Sequence, residues 1–273
     1  MAVDPIRVLS VELEQVKDFY EKYYARVDSS KAHAAFCEKV FGMDLCQHGF
    51  ADLYQLGLLI ETTGIKATDK VIDIGSGNGR IAEYLSGKTG AHFTGLDFIP
   101  EAVMKARQLP GARNGRLAFM EGDINALDLP RNEYDVVLSI DSIYFSTDYP
   151  ATISKLKGAL RPRGRMGFLY SHGREPWVPR DQFPKETLPP DNTPLAQALT
   201  ANGLAYTAVD LTDKDYELAK ARKRVLSELK EGFIEEDILF VYENRIGDAS
   251  GILNAIEEGL HRRYLYSVGR PEH

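Results

Sequence analysis

One segment in the first third of the chain constrains the fold more than any other. Residues 70–74 read Lys-Val-Ile-Asp-Ile, and they lead directly into Gly-Ser-Gly-Asn-Gly at residues 75–79. A short apolar run rich in β-branched residues indicates a buried strand. Glycines allow positive φ and close backbone approach, and a loop that opens a helix presents its N–H groups to an anionic ligand. The segment therefore predicts a strand, a ligand-binding loop and a helix in succession.

Further apolar runs of strand length follow at regular intervals, with helical patterns between them. They lie at residues 92–96, 117–120, 134–140, 165–170, 204–210 and 263–268. Alternation of this kind predicts an α/β fold with a Rossmann-like, doubly wound, seven-stranded and mostly parallel sheet. Helical patterns before residue 64 predict N-terminal helices, and the charged stretch 214–260 predicts a helical insertion before the last strand. The last run alternates in polarity, which is typical of an edge strand.

Composition limits the classes of function. The chain of 273 residues has a net charge of −7, which disfavours a nucleic-acid partner and favours a small-molecule substrate. The two cysteines, Cys37 and Cys46, form neither a CxxC pair nor a zinc spacing with His48, so we expect reduced, partly buried thiols and no metal. No signal pattern opens the chain and no apolar run approaches the roughly 18 residues of a membrane span, so we expect a cytoplasmic protein without a membrane span.

The spacing of the glycines narrows the ligand. A dinucleotide-binding loop has the pattern G-x-G-x-x-G, whereas here the third glycine, Gly79, comes one residue early. No Gly-Lys-Ser or Gly-Lys-Thr follows, which disfavours a phosphate-binding P-loop. With Asp73, the segment reads D-x-G-x-G-x-G.

This pattern, together with four others in the same order, resembles the class I S-adenosylmethionine (SAM) dependent methyltransferases. An acidic residue, Asp97, ends the second strand, and Gly-Asp-Ile occupies residues 122–124. Residues 134–140 match the fourth-strand motif, and residues 160–165 match the turn before the fifth strand, with Arg163 where glycine is usual. The resemblance covers about residues 70–170.

The resemblance implies SAM as the cofactor and assigns roles to particular side chains. Asp97 would hold both ribose hydroxyls and Asp123 the adenine amino group, while Phe98 and Ile124 would enclose the adenine ring. Asp73 would interact with the cofactor's ammonium group, directly or through water. The full set of predicted cofactor-binding residues is Asp73, Gly75, Ser76, Gly77, Gly79, Asp97, Phe98, Asp123, Ile124 and Asp141.

Ligands of parallel sheets bind at the carboxyl ends of the strands, so we expect the methyl acceptor near the ends of strands four and five. The predicted catalytic residues are His48, Tyr144 and His172. A histidine could remove a proton from the acceptor, although a structural histidine and a tyrosine that only packs in the core are equally open interpretations. The other four histidines are expected at the surface: His33, His92, His261 and His273.

The chain is expected to be a single domain in three parts. Residues 1–64 form a helical cap, 65–170 the cofactor-binding core, and 171–273 the substrate-side loop, helical insertion and last strands. Five of the thirteen prolines fall within residues 171–192, which predicts a long loop that helps to cover the acceptor.

The layout of N-terminal helices and a late insertion resembles small-molecule methyltransferases, including sterol, cyclopropane-forming and natural-product enzymes. No Asn-Pro-Pro-Tyr or Asp-Pro-Pro-Tyr follows the fourth strand, which disfavours a nucleic-acid amine as acceptor. The aromatic residues Phe19, Tyr20, Tyr23 and Tyr24 suggest a partly apolar acceptor, or else simple helix packing. A homodimer is one assembly compatible with the sequence. The alternative functions are a non-catalytic SAM-binding regulatory protein and, less favoured, a nucleotide-dependent oxidoreductase.

Overall fold

The computed structural model describes residues 5–174 and 178–269, with side chains described from residue 15 onward. The helices are α1 (Pro5–Val27), α2 (Lys31–Phe41), α3 (Leu53–Thr63), α4 (Arg80–Thr89), α5 (Pro100–Ala106), α6 (Pro110–Arg113), α7 (Tyr149–Ala159), α8 (Pro194–Ala201), α9 (Thr212–Glu235) and α10 (Leu239–Glu257). The strands are β1 (Lys70–Ile74), β2 (His92–Asp97), β3 (Leu117–Glu121), β4 (Tyr134–Ile140), β5 (Leu160–Gly173), β6 (Tyr206–Asp210) and β7 (His261–Val268).

The seven strands form one sheet in the order β3-β2-β1-β4-β5-β7-β6. The first five strands are parallel to one another, and β7 runs antiparallel to both β5 and β6. The strand order reverses between β1 and β4, so the loops that leave these two strands diverge and open a crevice at their carboxyl ends. The predicted α/β fold with a mostly parallel seven-stranded sheet is confirmed.

The position of β7 corrects one expectation. Residues 263–268 were expected to form an edge strand, but β7 lies between β5 and β6, and β6 is the edge. The alternation in polarity misled the prediction because the polar side chain of Arg263 points into the protein, where it is fully buried and paired with Asp141. A charged residue in a strand produces the same alternating pattern whether it is buried in an ion pair or exposed to solvent.

The N-terminal helices α1 and α2 pack with the late helices α9 and α10 beside the sheet. The predicted insertion is a pair of helices, α9 and α10, that lies between β6 and β7 in the chain and packs against α2. Buried residues of α1, α2 and the insertion share one apolar cluster, which includes Tyr23, Phe36, Val225 and Phe233. Full burial of each such side chain contributes roughly 1.5–3 kcal/mol, so the cluster holds the early and late helices together.

The helices of the described residues include none long and apolar enough to cross a membrane.

Candidate active site

A deep cavity opens at the carboxyl ends of β1, β2 and β4. Its wall contains eight of the ten predicted cofactor-binding residues, all except Asp73 and Gly79. The remaining wall comes from α1, from residues 45–49 and 51, and from the turn after β4. After the roles predicted for them, we call the part built by the glycine loop and residues 96–99 and 122–125 the cofactor half, and the part built by α1, residues 45–49 and 51 and residues 140–145 the acceptor half.

The glycine loop needs its glycines for two different reasons. Gly75 has φ +76°, and a Cβ there would lie 2.3 Å from the Cβ of Ser142, so a side chain at this position is excluded by both conformation and space. Gly79 also has a positive φ, but a Cβ there would meet the ring of Phe119 at 2.5 Å. Gly79 thus lets α4 pack closely against the sheet, and it lies outside the cavity wall.

Asp97 connects the loop to the end of β2. Its carboxylate accepts hydrogen bonds from the backbone N–H of Gly77 at 2.7 Å and from that of Ile99 at 2.9 Å. Burial raises the pKa of this carboxyl group, while these N–H donors act in the opposite direction. The side chain lines the cavity, and a carboxylate has lone pairs left for further donors such as vicinal hydroxyls.

The floor of the cofactor half contains polar atoms that lack partners. Among the described residues, neither Oδ1 of Asp73 nor Oγ of Ser76 has a hydrogen-bond partner, and both atoms are buried. Burial and the neighbouring Asp97 raise the pKa of Asp73 to about 8. Ser76 lines the cavity, whereas Asp73 lies below the loop. Unpartnered acceptors at this place fit a ligand that carries an ammonium group, with Asp73 acting through an intermediate such as water.

The opposite wall of the cofactor half is apolar with one acidic group. Phe98 and Ile124 both line it, and Phe98 is 36% exposed. Asp123 accepts a hydrogen bond from the backbone N–H of Asn125 at 2.8 Å, as a turn residue does, and also lines the cavity. These positions are compatible with the predicted roles around an adenine ring, which stay predictions.

Asp141 lines the cavity, but its oxygens already have protein donors. The Arg263 guanidinium donates to Oδ1 at 2.6 Å and to Oδ2 at 3.1 Å, and Oδ2 also accepts from the backbone N–H of Phe50 at 2.7 Å. A Cβ on Gly49 would lie 2.7 Å from Oδ2, so only glycine fits there. Asp141 thus joins the end of β4 to β7 and to the segment that carries His48.

His48 lines the acceptor half, with both ring nitrogens engaged. Nδ1 lies 3.2 Å from the hydroxyl of Tyr20, and Nε2 lies 2.9 Å from Oδ1 of Asn244 on α10. If the amide oxygen accepts from Nε2–H, the Tyr20 hydroxyl donates to Nδ1. Burial and the nearby Arg245 lower the pKa of His48 to about 3. The ring is therefore neutral at physiological pH and is a weak base.

Tyr144 also lines the acceptor half, beside Phe145, whose ring centroid is 4.9 Å away. Its hydroxyl has no hydrogen-bond partner among the residues that the structure describes. Burial, followed by the charge of Asp141, raises the pKa of Tyr144 well above its usual value, so the group is a neutral phenol. A phenol in such a wall can both donate to and accept from an acceptor molecule.

His172 lies apart from the other two predicted catalytic residues. It pairs in register with Arg262 of β7, its Nε2 lies 2.8 Å from Oγ1 of Thr187, and its ring stacks on Tyr170. Burial lowers its pKa to about 4. The structure brings His48 and Tyr144 into one cavity and leaves His172 outside it.

The described residues of the proline-rich stretch, 171–174 and 178–192, do not line the cavity that the stretch was expected to help cover. β5 continues to Gly173, and within 178–192 the backbone oxygens of Leu188 and Pro190 accept from the hydroxyls of Tyr264 and Tyr266 at 2.8 and 2.6 Å. The described residues of 171–192 therefore pack against the β7 side of the sheet and do not line the cavity.

Two of the histidines expected at the surface are buried. His33 is fully buried between the Tyr23 hydroxyl and the Arg245 guanidinium, and His261 bonds to Asp215 at 3.0 Å. The prediction was wrong because these partners lie far away in sequence. His92 is exposed as expected, and His273 lies outside the described residues. Both cysteines are free and fully buried, more deeply than expected.

Sequence reasoning also missed three buried arginines, Arg222, Arg245 and Arg263. Arg245 donates to the hydroxyl of Tyr23 at 2.7 Å and to the backbone oxygen of Gln47 at 2.6 Å, which ties α10 to α1 and to the acceptor wall. A signal was present for Arg222, because it falls four residues after Leu218 and three before Val225 on the apolar face of α9.

With this geometry in view, comparison with known proteins defines the class of the chain. Residues 71–164 match the family model of the methyltransferase domain. An uncharacterized protein of Mycobacterium tuberculosis is 28% identical over 128 residues, which cover 47% of this chain and 44% of that protein. A sterol 24-C-methyltransferase of Gibberella zeae is 31% identical over 112 residues, covering 40% of this chain and 29% of the enzyme. The matched region thus spans less than half the length of these curated relatives.

Solved structures extend the likeness of the fold beyond the matched region. A phosphoethanolamine N-methyltransferase of Haemonchus contortus, in complex with SAM, superposes with a TM-score of 0.72 at 15% identity, covering 93% of this chain and 60% of that one. A geranyl diphosphate C-methyltransferase of Streptomyces coelicolor A3(2) gives a TM-score of 0.60 at 14% identity, with coverages of 80% and 77%. The resemblance to the class I SAM-dependent methyltransferases is confirmed in its fold, and residues 71–164 match the methyltransferase domain.

Proposed function

We propose that this protein transfers a methyl group from SAM to a small-molecule acceptor. The observation that carries the proposal is the cavity at the point where the strand order reverses. Eight of the predicted cofactor-binding residues line it, and the same cavity continues to His48 and Tyr144. The matched methyltransferase domain and the methyltransferase structures with the same fold support this function.

The cofactor half suits each part of SAM. Asp97 accepts from the ribose hydroxyls with the lone pairs that its two backbone donors leave free, and Asp123 accepts from the adenine amino group. Phe98 and Ile124 hold the adenine ring. The unpartnered Ser76 hydroxyl and, through water, Asp73 interact with the ammonium end. When bound there, SAM supplies a methyl group already activated by the sulfonium charge.

The acceptor half orients the acceptor molecule relative to the methyl group of SAM. Holding donor and acceptor in line removes much of the barrier, by roughly 7–11 kcal/mol in well-oriented systems. The free hydroxyl of Tyr144 fixes the acceptor, while Tyr20, Tyr24 and Phe145 exclude water and favour a partly apolar molecule. His48 acts as a positioning residue that holds Tyr20, since both of its nitrogens are engaged and its pKa is too low for a base at neutral pH. His172 has no part in this proposal.

Three further expectations stay predictions: the three-part division of the domain, a homodimer, and a cytoplasmic location. Size-exclusion chromatography with light scattering tests the homodimer. Limited proteolysis tests the division, for which cleavage near residues 64 and 171 is the expected outcome.

The proposal is tested in two stages. SAM and S-adenosylhomocysteine should raise the melting temperature of the protein, and Asp97→Ala should remove the shift. Asp128→Ala, which changes an exposed carboxylate outside the cavity wall, is the matched control and should keep it. No shift in the unchanged protein at millimolar ligand would refute the proposal.

The second stage uses methyl-labelled SAM with a fractionated cell extract. Label in a small-molecule fraction, absent with Asp97→Ala, supports methyl transfer. Cofactor binding without label in any fraction would favour the non-catalytic regulatory alternative, and saturable NAD binding would favour the oxidoreductase.

A further inference from the structure

Two guanidinium nitrogens of Arg222, a buried residue of α9, lack hydrogen-bond acceptors in the part of the chain that the structure describes. Its side chain is 1% exposed, and among the described residues neither Nε nor Nη2 has a partner. The nearest carboxylate oxygen, Oδ2 of Asp248, lies 4.0 Å from Nη2, at the outer limit of an ion pair. A buried guanidinium in this state is costly, because its charge and its N–H groups have left water without full replacement.

The other buried arginines of this region show what the fold does elsewhere. Arg263 donates to Gln55, to Ser171 and, with two nitrogens, to Asp141. Arg245 has backbone and side-chain acceptors on α1, α2 and the 45–50 segment. All three guanidinium groups lie over aromatic rings, but among the described residues two nitrogens of Arg222 lack a hydrogen-bond partner, against one nitrogen of Arg245 and none of Arg263.

The charges around Arg222 leave it poorly compensated. Burial and then Arg245 lower its pKa to about 10, although Asp248, Asp215 and Asp141 act in the opposite direction. Two of these carboxylates are committed to other donors, because Asp215 bonds to His261 and Asp141 to Arg263. Of the three carboxylates, only Asp248 is left to compensate the charge of Arg222. Its side chain is 32% exposed, so solvent partly screens its negative charge.

Arg222 lies directly behind the acceptor half of the cavity. Its guanidinium carbon is 4.5 Å from the ring centre of Phe50. The backbone of Phe50 bonds to Asp141, and the preceding residues His48 and Gly49 line the cavity. One aromatic ring therefore separates the guanidinium from the wall.

The two unpartnered nitrogens define a chemical preference. Nε–H and one N–H of Nη2 form the parallel pair of donors that fits both oxygens of a carboxylate or two oxygens of a phosphate. We infer that Arg222 anchors an oxyanion, a carboxylate or phosphate group, carried by the methyl acceptor. This inference rests on the proposed methyl transfer and narrows its substrate to acidic small molecules with a partly apolar body.

Access requires a local change. Neither Arg222 nor Asp248 belongs to the cavity wall, so an incoming oxyanion reaches the guanidinium when Phe50 turns, and it replaces Asp248 as the nearest anion. Phe50 and Asp248 are both partly exposed, which leaves room for such movement. A cationic or neutral acceptor would leave the Arg222 donors unpaired.

The test measures binding of inorganic phosphate and, separately, acetate to the protein saturated with S-adenosylhomocysteine. Melting temperature is followed against anion concentration at constant ionic strength, with chloride as reference. We expect Arg222→Gln to weaken anion binding about tenfold or more, in line with the typical contribution of charge-assisted hydrogen bonds. Arg224→Gln, on the same helix but with its side chain 69% exposed, is the matched control and should bind as the unchanged protein does. If phosphate binds more tightly than acetate, the acceptor is a phosphorylated molecule; if acetate binds more tightly, it is a carboxylic acid.

Asp248→Asn keeps the inference testable if Arg222→Gln folds poorly. Removal of the competing carboxylate should strengthen anion binding, so that the same shift occurs at a lower concentration. An equal response in all variants, or no response in the unchanged protein, would overturn the inference. Since stabilisation by S-adenosylhomocysteine is recorded in the same experiment, its retention separates this failure from failure of the proposed function.

Discussion

The two halves of the cavity are built in different ways. In the cofactor half, polar contacts join neighbouring segments, such as the bonds from the glycine loop to Leu96 and Asp97. In the acceptor half, contacts join distant parts of the chain, as Asp141 does with Arg263 and His48 with Asn244. The first half therefore depends on local backbone geometry, and the second on the assembly of α1, α10 and β7 around it.

The largest effect is expected when a long-range contact of the acceptor half is removed, the ion pair between Arg263 and Asp141. Arg263→Met leaves the Asp141 carboxylate buried without its cation, so we expect the free energy of unfolding to fall by about 3–5 kcal/mol. Urea denaturation measures the loss. The double variant with Asp141→Leu should recover part of that stability, since it removes the uncompensated charge. If Arg263→Met changes the free energy of unfolding in water by less than the error of the urea extrapolation, the acceptor half does not depend on its long-range contacts as described.

A glycine substitution tests the local character of the cofactor half. Gly75→Ala forces a side chain into the left-handed region and against Ser142, so we expect affinity for S-adenosylhomocysteine to fall more than about tenfold. Isothermal titration calorimetry checks it. Gly87→Ala is the matched control, because this residue is in α4 with open space around it. It should keep the affinity and stabilise the protein by about 0.5–1 kcal/mol.

A smaller effect is expected within the acceptor wall. Tyr144→Phe removes one hydroxyl that we propose contacts the acceptor, so we expect kcat/KM to fall by up to about tenfold. Affinity for S-adenosylhomocysteine should stay unchanged. Steady-state kinetics with the acceptor identified by labelling measures kcat/KM, and calorimetry measures the affinity for S-adenosylhomocysteine. An equal loss of cofactor affinity would show that Tyr144 belongs to the cofactor half instead.

The last prediction is a pH dependence of stability through His48. Its pKa in the folded protein, about 3, lies below its ordinary value of 6.5, so folding favours the neutral ring. The stabilisation is present above pH 6.5 and is lost as pH falls towards 3. His48→Gln should therefore narrow its stability difference from the unchanged protein over that interval. Urea denaturation at several pH values measures it, and a difference independent of pH would contradict a neutral buried ring.

Sequence patterns identified many of the residues that line the cofactor half because these residues follow one another along the chain. The β1 run, the glycines and Asp97 each stand at the end of a recognisable strand, and the parallel topology brings these ends together. The same logic placed Tyr144 at the cavity, since it follows β4 by a few residues.

The acceptor half was harder to predict because its contacts cross up to about two hundred residues. No local pattern pairs Arg245 with His33 or Arg222 with Phe50. His172 lies outside the cavity for a related reason, since β5 runs past the cavity to pair with β7 and carries the histidine with it. Asp141 was expected at the cofactor, and only the position of β7 reveals its partner.

The central position of β7 has a consequence for how the chain matures. During synthesis, β1 to β6 emerge before β7, and β6 pairs with β7 alone, so β6 cannot join the sheet until the last strand lies between it and β5. Until it does, Asp141, which also accepts from the backbone N–H of Phe50, has no guanidinium beside it. A growing chain can thus acquire the glycine loop well before it acquires a finished acceptor wall. Ribosome-bound chains in which β7 is still inside the exit tunnel, compared with chains in which it has emerged, would differ in that wall.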